Sequence, residues 1–298
     1  MRTLLVLLVV LAAGGAAAWF LSAPQPLAAS AVPTGGDAAR GEAVFWAGGC
    51  AACHAAPGAT GEAKLTLAGG LTLHTPLGPI VAPNISPSPA GIGDWSDADF
   101  ANAVLRGISP DGTHYTPAFP WTSYRNMRPG DVADLRAYLA TLPPSDDRPD
   151  AAGLPFPFGW RRPIGLWKRF ALTDPPPVPQ GADEAVTRGH YLTVALGHCG
   201  ECHTPRTVLM AMDPSRWLAG APNPDGDGTV PNITPARAGL ADWPAADIAY
   251  LLESGFTPDF DSVGGSMAPV VDNWSHVDGA DRAAVAAYLK AIAPVPAE

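Results

Sequence analysis

The sequence predicts an all-α fold built from two similar units in tandem and preceded by an apolar N-terminal helix. Three observations support this: an internal repeat, helical hydrophobic spacing in each half, and a strand pattern that is weak throughout. The 298 residues suffice for two domains, since one domain usually takes about 150 residues. The 34 Pro and 32 Gly indicate long loops, whereas 47% hydrophobic residues and 9 Trp indicate a folded chain.

Residues 1–22 have the pattern of a signal anchor or a signal peptide. Arg2 precedes an apolar run from Leu4 to about Leu21, and a positive residue before such a run is typical of export. About 18 helical residues span roughly 27 Å, barely a bilayer core. The later cleavage candidate at residues 29–31 lies well past the run, so we predict an uncleaved anchor, with a removed signal peptide as the alternative. Residues 23–36 are predicted to form a flexible linker.

Matching sequence patterns recur in the two halves at a spacing of 148 to 150 residues. They place a first unit at residues 37–143 and a second at residues 181–298, joined by a Pro-rich strap at residues 144–180. The strap contains aromatic residues and a basic cluster and is predicted to pack between the units. The matching segments are Arg40-Gly41 with Arg188-Gly189, residues 83–87 with 231–235, Asp94-Trp95 with Asp242-Trp243, Gly107 with Gly255, and Asp131 with Asp281.

Each unit is predicted to contain three helices separated by long loops. Ser96 is a suitable N-cap for the second helix, Asp97 and Asp99 suit its first turn, and Gly107 suits its end. The predicted helices cover residues 37–47, 96–106 and 128 or 129–142 in the first unit, and 182–195, 244–254 and 279–292 in the second.

The four cysteines all lie in two Cys-x-x-Cys-His motifs, formed by Cys50, Cys53 and His54 and by Cys199, Cys202 and His203. A disulfide, a zinc site or a redox dithiol would also use a cysteine pair, but none of them requires a His directly after the second Cys. Haem attachment does, since two thioethers hold the porphyrin and the His faces the iron. We therefore predict two covalently attached haem c groups, with His54 and His203 as iron ligands.

The sixth iron ligand decides between electron transfer and catalysis, because a His/Met pair leaves no open position on the iron. In the second unit, Met267 lies in a Gly-rich loop with little packing reason to be there, and we predict that it is the ligand. The first unit has no Met at the corresponding residues 117–119. We predict Met127 instead, with His114, His74 or an open iron as alternatives; without ligation, Met127 would be a core residue at a helix start.

The chain resembles the cytochrome c subunits of membrane-bound quinoprotein and flavoprotein dehydrogenases for alcohol and gluconate, over about residues 37–295. The resemblance implies class I cytochrome c-like domains, with His54, His203 and Met267 as iron ligands. In that family a Met normally stands where Phe119 stands here. The residues that carry the resemblance are the two haem motifs, the Pro-Asn-Ile turns, Gly-Ile-Gly-Asp-Trp at 91–95, Tyr-Thr-Pro-Ala-Phe-Pro-Trp at 115–121 and Gly-Ser-Met-Ala at 265–268.

Electron transfer is the leading functional prediction. The net charge of −10 argues against nucleic acid, which needs clustered Lys and Arg, and suits docking to a basic patch on a redox partner. We predict a non-enzymatic protein anchored in a bacterial inner membrane by its N-terminal helix and facing the periplasm, or soluble there after cleavage. It would take electrons from a dehydrogenase and pass them to an oxidase, a quinone or a small cytochrome. The alternative is a di-haem peroxidase or a sulfur-compound dehydrogenase with a catalytic first haem.

Overall fold

The computed structural model describes residues 1–75, 77–150, 153–223, 226 and 228–296. Helices dominate this part of the chain, which confirms the helical class and the apolar N-terminal helix. The helices are α1 (Arg2–Leu21), α2 (Ala38–Ala47), α3 (Cys50–His54), α4 (Asp97–Arg106), α5 (Trp121–Tyr124), α6 (Pro129–Leu139), α7 (Pro163–Phe170), α8 (Glu184–Tyr191), α9 (Gly200–His203), α10 (Ala245–Ser254), α11 (Met267–Trp274) and α12 (Gly279–Ala291).

The six helices predicted from hydrophobic spacing are all present, with ends close to those expected. Ser96 caps α4 as predicted: its side chain accepts the Asp99 N–H, the Asp99 side chain returns the bond, and Gly107 ends the helix in a left-handed conformation. Helix α8 is shorter than expected, because it passes into one π-helical turn at Leu192–Leu196. The spacing missed α5, α7 and α11, since each is eight residues or fewer and begins beside or close to a proline.

Two short antiparallel hairpins depart from the all-α prediction. Strand β1 (Thr72–Thr75) pairs with β2 (Gly78–Val81), and β3 (Ala221–Pro222) pairs with β4 (Thr229–Val230). Strands of two to four residues are too short to produce a recognisable alternation of apolar and polar residues.

In each half the first helix crosses the last helix at a glycine. A Cβ on Gly41 in α2 would lie 2.0 Å from the Asp134 carbonyl oxygen in α6. A Cβ on Gly189 in α8 would lie 1.9 Å from the Ala284 carbonyl oxygen in α12. The repeated Arg-Gly pair therefore marks the point of closest backbone approach, and only glycine fits there.

Buried apolar residues from both halves form one continuous cluster. Phe45, Trp46 and Leu139 contribute from the first half, and Leu196 and Tyr288 contribute from the second. The molecule therefore has a shared apolar interior that connects its two halves, as expected for residues that exclude water together.

The segment predicted as a linker lies against the first half at both of its ends. The Leu27 N–H donates to the Asn102 side chain at 2.7 Å, and the Leu27 side chain packs against the core cluster. At the other end, a Cβ on Gly36 would lie 1.9 Å from the Ala133 carbonyl oxygen. This segment therefore holds the end of α1 close to the folded first half.

Candidate haem-attachment sites

Both Cys-x-x-Cys-His motifs fold into a single helical turn. Helix α3 runs from Cys50 to His54, and the His203 N–H donates to the Cys199 carbonyl at 3.0 Å. Residues three and four apart lie on one face of a helix, so both cysteines and the histidine of each motif face the same side. All four cysteines are half-buried.

Each motif histidine is held by a backbone carbonyl. His54 Nδ1 lies 2.8 Å from the Pro83 oxygen, and His203 Nδ1 lies 2.8 Å from the Pro231 oxygen. A carbonyl can only accept, so Nδ1 carries the proton and Nε2 keeps a free lone pair. Burial lowers the pKa of both imidazoles, against the smaller opposing effect of the carbonyls. Each histidine is thus a neutral imidazole of fixed orientation.

The repeated Pro-Asn-Ile turn explains why a carbonyl stands at each of these positions. The Asn84 side chain donates to the carbonyls of Ser145 and Asp147 and accepts the Ser86 N–H. Asn232 does the same in the second half, where it donates to the Val295 carbonyl and accepts the Thr234 N–H. The buried amide pins the turn to the chain after the last helix, and the turn aims the preceding proline carbonyl at the histidine.

The environment of the thiols fits covalent haem attachment. Burial is the largest cause that raises the pKa of Cys50 and of Cys199 to about 12, and the second cysteine of each motif adds a smaller contribution in the same direction. These cysteines are therefore neutral thiols, whereas a reactive dithiol needs a lowered pKa. Two thiols and a neutral imidazole on one helical turn are the donor set that haem c requires, and the chain carries this set twice.

At the positions compared for the sixth ligand, the two halves have the same backbone turn bond with different side chains. The Phe119 N–H donates to Thr116 at 3.2 Å, and the Met267 N–H donates to Gly264 at 3.3 Å. Both side chains are half-buried against the core cluster. Phe119 thus occupies the backbone position of Met267 without its sulfur.

The other candidate ligands of the first half have different surroundings. Met127 is buried before α6 and lies 150 residues before the equally buried Val277. Their N–H groups make the same bond, to Tyr124 and Trp274 respectively. His114 is buried with Nε2 2.9 Å from the Ser22 carbonyl, which ties it to the end of α1. His74 is exposed on β1.

A polar cluster that the sequence did not indicate lies between the two motifs. The His198 ring sits edge-on to Tyr124 at 5.6 Å, and the Tyr124 hydroxyl donates to the Gly48 carbonyl at 2.5 Å. Glu201 accepts the hydroxyls of Thr122 and Ser123 from the other half. The repeat aligns His198 with Gly49, which has no side chain. Comparison of the two halves therefore could not predict the contact of His198 with Tyr124.

This arrangement, with its two thiol pairs and carbonyl-held histidines, defines a protein of the c-type cytochrome class. A family profile described as cytochrome c matches residues 38–143. A diheme cytochrome c-type protein of Cereibacter sphaeroides is 55% identical over 258 residues, covering 86% of each chain. The fructose dehydrogenase cytochrome subunit of Gluconobacter japonicus is 36% identical over 87% of this chain and 53% of that subunit. The gluconate 2-dehydrogenase cytochrome c subunit of Pantoea cypripedii is 34% identical over 85% and 59%.

The chain belongs to the diheme c-type cytochromes, which bind haem c covalently and transfer electrons. It spans 86% of the diheme relative and somewhat more than half of the two dehydrogenase subunits. The predicted family is therefore confirmed.

Proposed function

We propose that the chain holds one haem c at each motif: at Cys50, Cys53 and His54, and at Cys199, Cys202 and His203. The observation that carries this proposal is the hydrogen bond from each motif histidine to a proline carbonyl, found twice. In this proposal the thiols become thioethers, and Nε2 of each histidine binds iron. Once bound, haem iron supplies a reversible one-electron couple.

We further propose two tandem class I cytochrome c-like domains at residues 37–143 and 181–298, with residues 144–180 as the connection. The repeated order of elements supports this division. In each half a first helix meets the last at a glycine, a haem motif follows, and a turn pins the histidine.

For the sixth ligand of the second iron we propose Met267. This residue begins α11, and its thioether side chain is half-buried against the core. For the first iron Met127 stays the predicted ligand, with His114 or an open position as alternatives. Phe119 has no donor atom, so a thioether ligand for this iron has to come from elsewhere in the chain.

The proposed role is electron transfer from a dehydrogenase to the respiratory chain, with an oxidase, a quinone or a small cytochrome as acceptor. The fructose and gluconate dehydrogenase subunits support a dehydrogenase as the donor. Helix α1 is the one helix in the described residues that is long and apolar enough to cross a membrane. We propose that it anchors the protein in the inner membrane with the haem domains in the periplasm.

Purified protein from a host that attaches haem c tests the core of this proposal. Haem content by the pyridine assay should be two per chain, and intact mass should show two covalent haems. The double variants Cys50→Ser with Cys53→Ser and Cys199→Ser with Cys202→Ser should each retain one haem. A chain that folds but binds no haem covalently, or a pair of variants that both keep two haems, would contradict the assignment.

A further inference from the structure

The end of the anchor helix is fixed onto α7. Arg162, at the start of α7, donates from Nε to the Ser22 hydroxyl at 2.9 Å and from Nη2 to the Trp19 carbonyl at 2.8 Å. Its guanidinium also lies 4.2 Å from the centre of the Trp19 ring. Ser22 is 2% exposed, and its carbonyl is bound by His114. The point at which α1 ends is therefore set by the folded domain.

Large aromatic side chains stand exposed in this same stretch of the strap. Phe156 is 88% exposed, Trp160 is 60% exposed and Phe170 is 68% exposed, with Phe158 exposed between the first two. Trp19 and Phe20 are also exposed at the adjoining end of α1. Exposed aromatic residues in a segment that contacts the end of an apolar helix are typical of a membrane interface.

An apolar loop of the second half is tied to the same place. Val208, Leu209 and Met210 are all exposed, and Val208 is 99% exposed. The Trp167 indole N–H donates to the Leu209 carbonyl at 2.6 Å, which fixes this loop to α7. Exposed apolar groups that are joined in this way mark an interaction surface rather than chance exposure.

The middle of the strap, residues 153–172, has a charge opposite to that of the whole molecule. Residues 153–172 contain three Arg and one Lys with no Asp or Glu, in a chain of net charge −10. The Lys168 ammonium donates to the carbonyls of Arg106 and Gly107, and burial lowers its pKa to about 7. Lys168 is therefore bound within the protein, which leaves the arginines as the cations for an outside partner, and arginine pairs well with phosphate oxygens.

We propose that the exposed aromatics of the strap and the loop at residues 208–210 together form a face that lies on the surface of an anionic phospholipid bilayer. This membrane face begins where α1 leaves the bilayer, which favours lipid over a protein partner. Its aromatic side chains would enter the interface, and Arg161 and Arg169 would meet lipid phosphates. The proposal rests on the membrane anchoring proposed for α1.

This face would fix the orientation of both halves above the membrane. One contact surface reaches the first half through α1 and His114, and the second half through the loop at residues 208–210. With α1 as the single contact, the two halves could rotate relative to the membrane. Contacts through α1, the strap and the loop at residues 208–210 together define which sides of the molecule remain open to partners.

Photo-crosslinking to lipid tests the membrane face in the full-length protein with both haems attached. Trp160→Cys and Leu209→Cys carry a benzophenone probe, and the protein is reconstituted into phosphatidylcholine vesicles with or without phosphatidylglycerol. Asp259→Cys is the matched control. It lies in the turn Thr257–Phe260, which has the same bond and the same left-handed last residue as Thr207–Met210.

Illumination should give lipid adducts at residues 160 and 209, measured by mass spectrometry, with only background at residue 259. Arg161→Gln with Arg169→Gln should reduce the preference for phosphatidylglycerol by about fivefold for each arginine. Adduct yields at 160 and 209 no higher than at 259 would overturn the membrane face and leave a protein partner for this surface. Retention of the protein on vesicles at alkaline pH reports separately on α1, so the failure of the anchor is distinguishable.

Discussion

At the scale of single residues, hydrogen bonds with fixed partners orient the side chains of the functional motifs. His54 and His203 illustrate this, because a carbonyl acceptor at Nδ1 leaves Nε2 as the ring nitrogen with a lone pair for the proposed iron. The buried amides of Asn84 and Asn232 have their hydrogen-bonding groups committed to the turn that supplies this carbonyl. The chemistry of the motif is thus oriented by residues almost thirty positions away in the chain.

A conservative substitution separates iron ligation from core packing at Met127. Met127→Leu nearly preserves side-chain volume, so the stability should change by less than about 1.5 kcal/mol. If Met127 binds the first iron, the variant should lose the long-wavelength His/Met charge-transfer band of one haem. Met267→Leu should remove the band of the other haem and serves as the control. An unchanged spectrum in Met127→Leu would falsify ligation by that sulfur.

The acid stability of the protein should depend on Asp134. This buried carboxylate accepts Arg40 Nε at 2.7 Å and the Asp37 N–H at 2.6 Å. The hydrogen bond from Arg40, aided by that N–H, holds the pKa of Asp134 below its ordinary value. Its stabilisation is therefore fully present above the unfolded pKa of about 3.9 and is lost as the pH falls through the lower folded pKa.

Asp134→Asn tests this pH dependence through the midpoint of thermal unfolding. The variant should be less stable than the parent at pH 7, and the gap between them should narrow as the pH falls below about 4. Asp97→Asn, an exposed change in the first turn of α4, should show a much smaller gap at neutral pH. A gap for Asp134→Asn that stayed constant down to pH 2 would show that the carboxylate charge is not responsible.

At the scale of elements, glycines decide how the helices cross. In each half the first and last helices approach so closely that a methyl group would meet a backbone carbonyl. The adjacent arginine then binds a carboxylate of the partner helix, but at different positions in the two halves. Arg188 binds Asp281, whereas Arg40 binds Asp134 and not the matching Asp131. Asp131 instead accepts the hydroxyl of Tyr191 from the second half.

Gly41→Ala should destabilise the first half by about 3 kcal/mol or more, because the backbone of α6 would have to move. Gly130→Ala is the matched control in α6 itself, since nothing lies within 4 Å of a Cβ there. It should be neutral or stabilising by up to about 1 kcal/mol. Urea unfolding of the haem-loaded variants measures both. Equal effects of the two substitutions would contradict the close approach as the cause.

At the scale of the whole molecule, each half contributes a short helix to the other half. In α5, Thr122 donates to Glu201 of the second haem motif, and in α11, Asp272 pairs with Lys64 of the first half. Thr122 and Asp272 lie 150 residues apart and so occupy matching positions. The Trp46 ring also stacks on His276 at 3.9 Å. These exchanged contacts, together with the shared apolar cluster, fix the two haem sites relative to each other.

The two matching contacts should differ in strength because they differ in burial. Thr122 is 2% exposed, so Thr122→Val should cost about 1–2 kcal/mol by leaving Glu201 one donor short. Asp272→Asn should cost less than about 1 kcal/mol, since its pair with Lys64 is partly open to solvent. Calorimetric unfolding of both variants tests the order, and a larger loss in Asp272→Asn would contradict it.

The sequence alone was enough to identify the two haem-attachment motifs and to predict six of the helices in their order along the chain. These predictions used patterns that can be recognised without knowledge of the fold. The patterns are the two Cys-x-x-Cys-His motifs, the repeat of about 149 residues and the caps of α4. Three-dimensional packing decided which carbonyl holds each histidine, which acid each arginine binds, and that His198 meets Tyr124. It also decided that the strap holds the end of α1. Such contacts join residues far apart in the chain, and the energy that selects them comes from burial and hydrogen bonds formed only on folding.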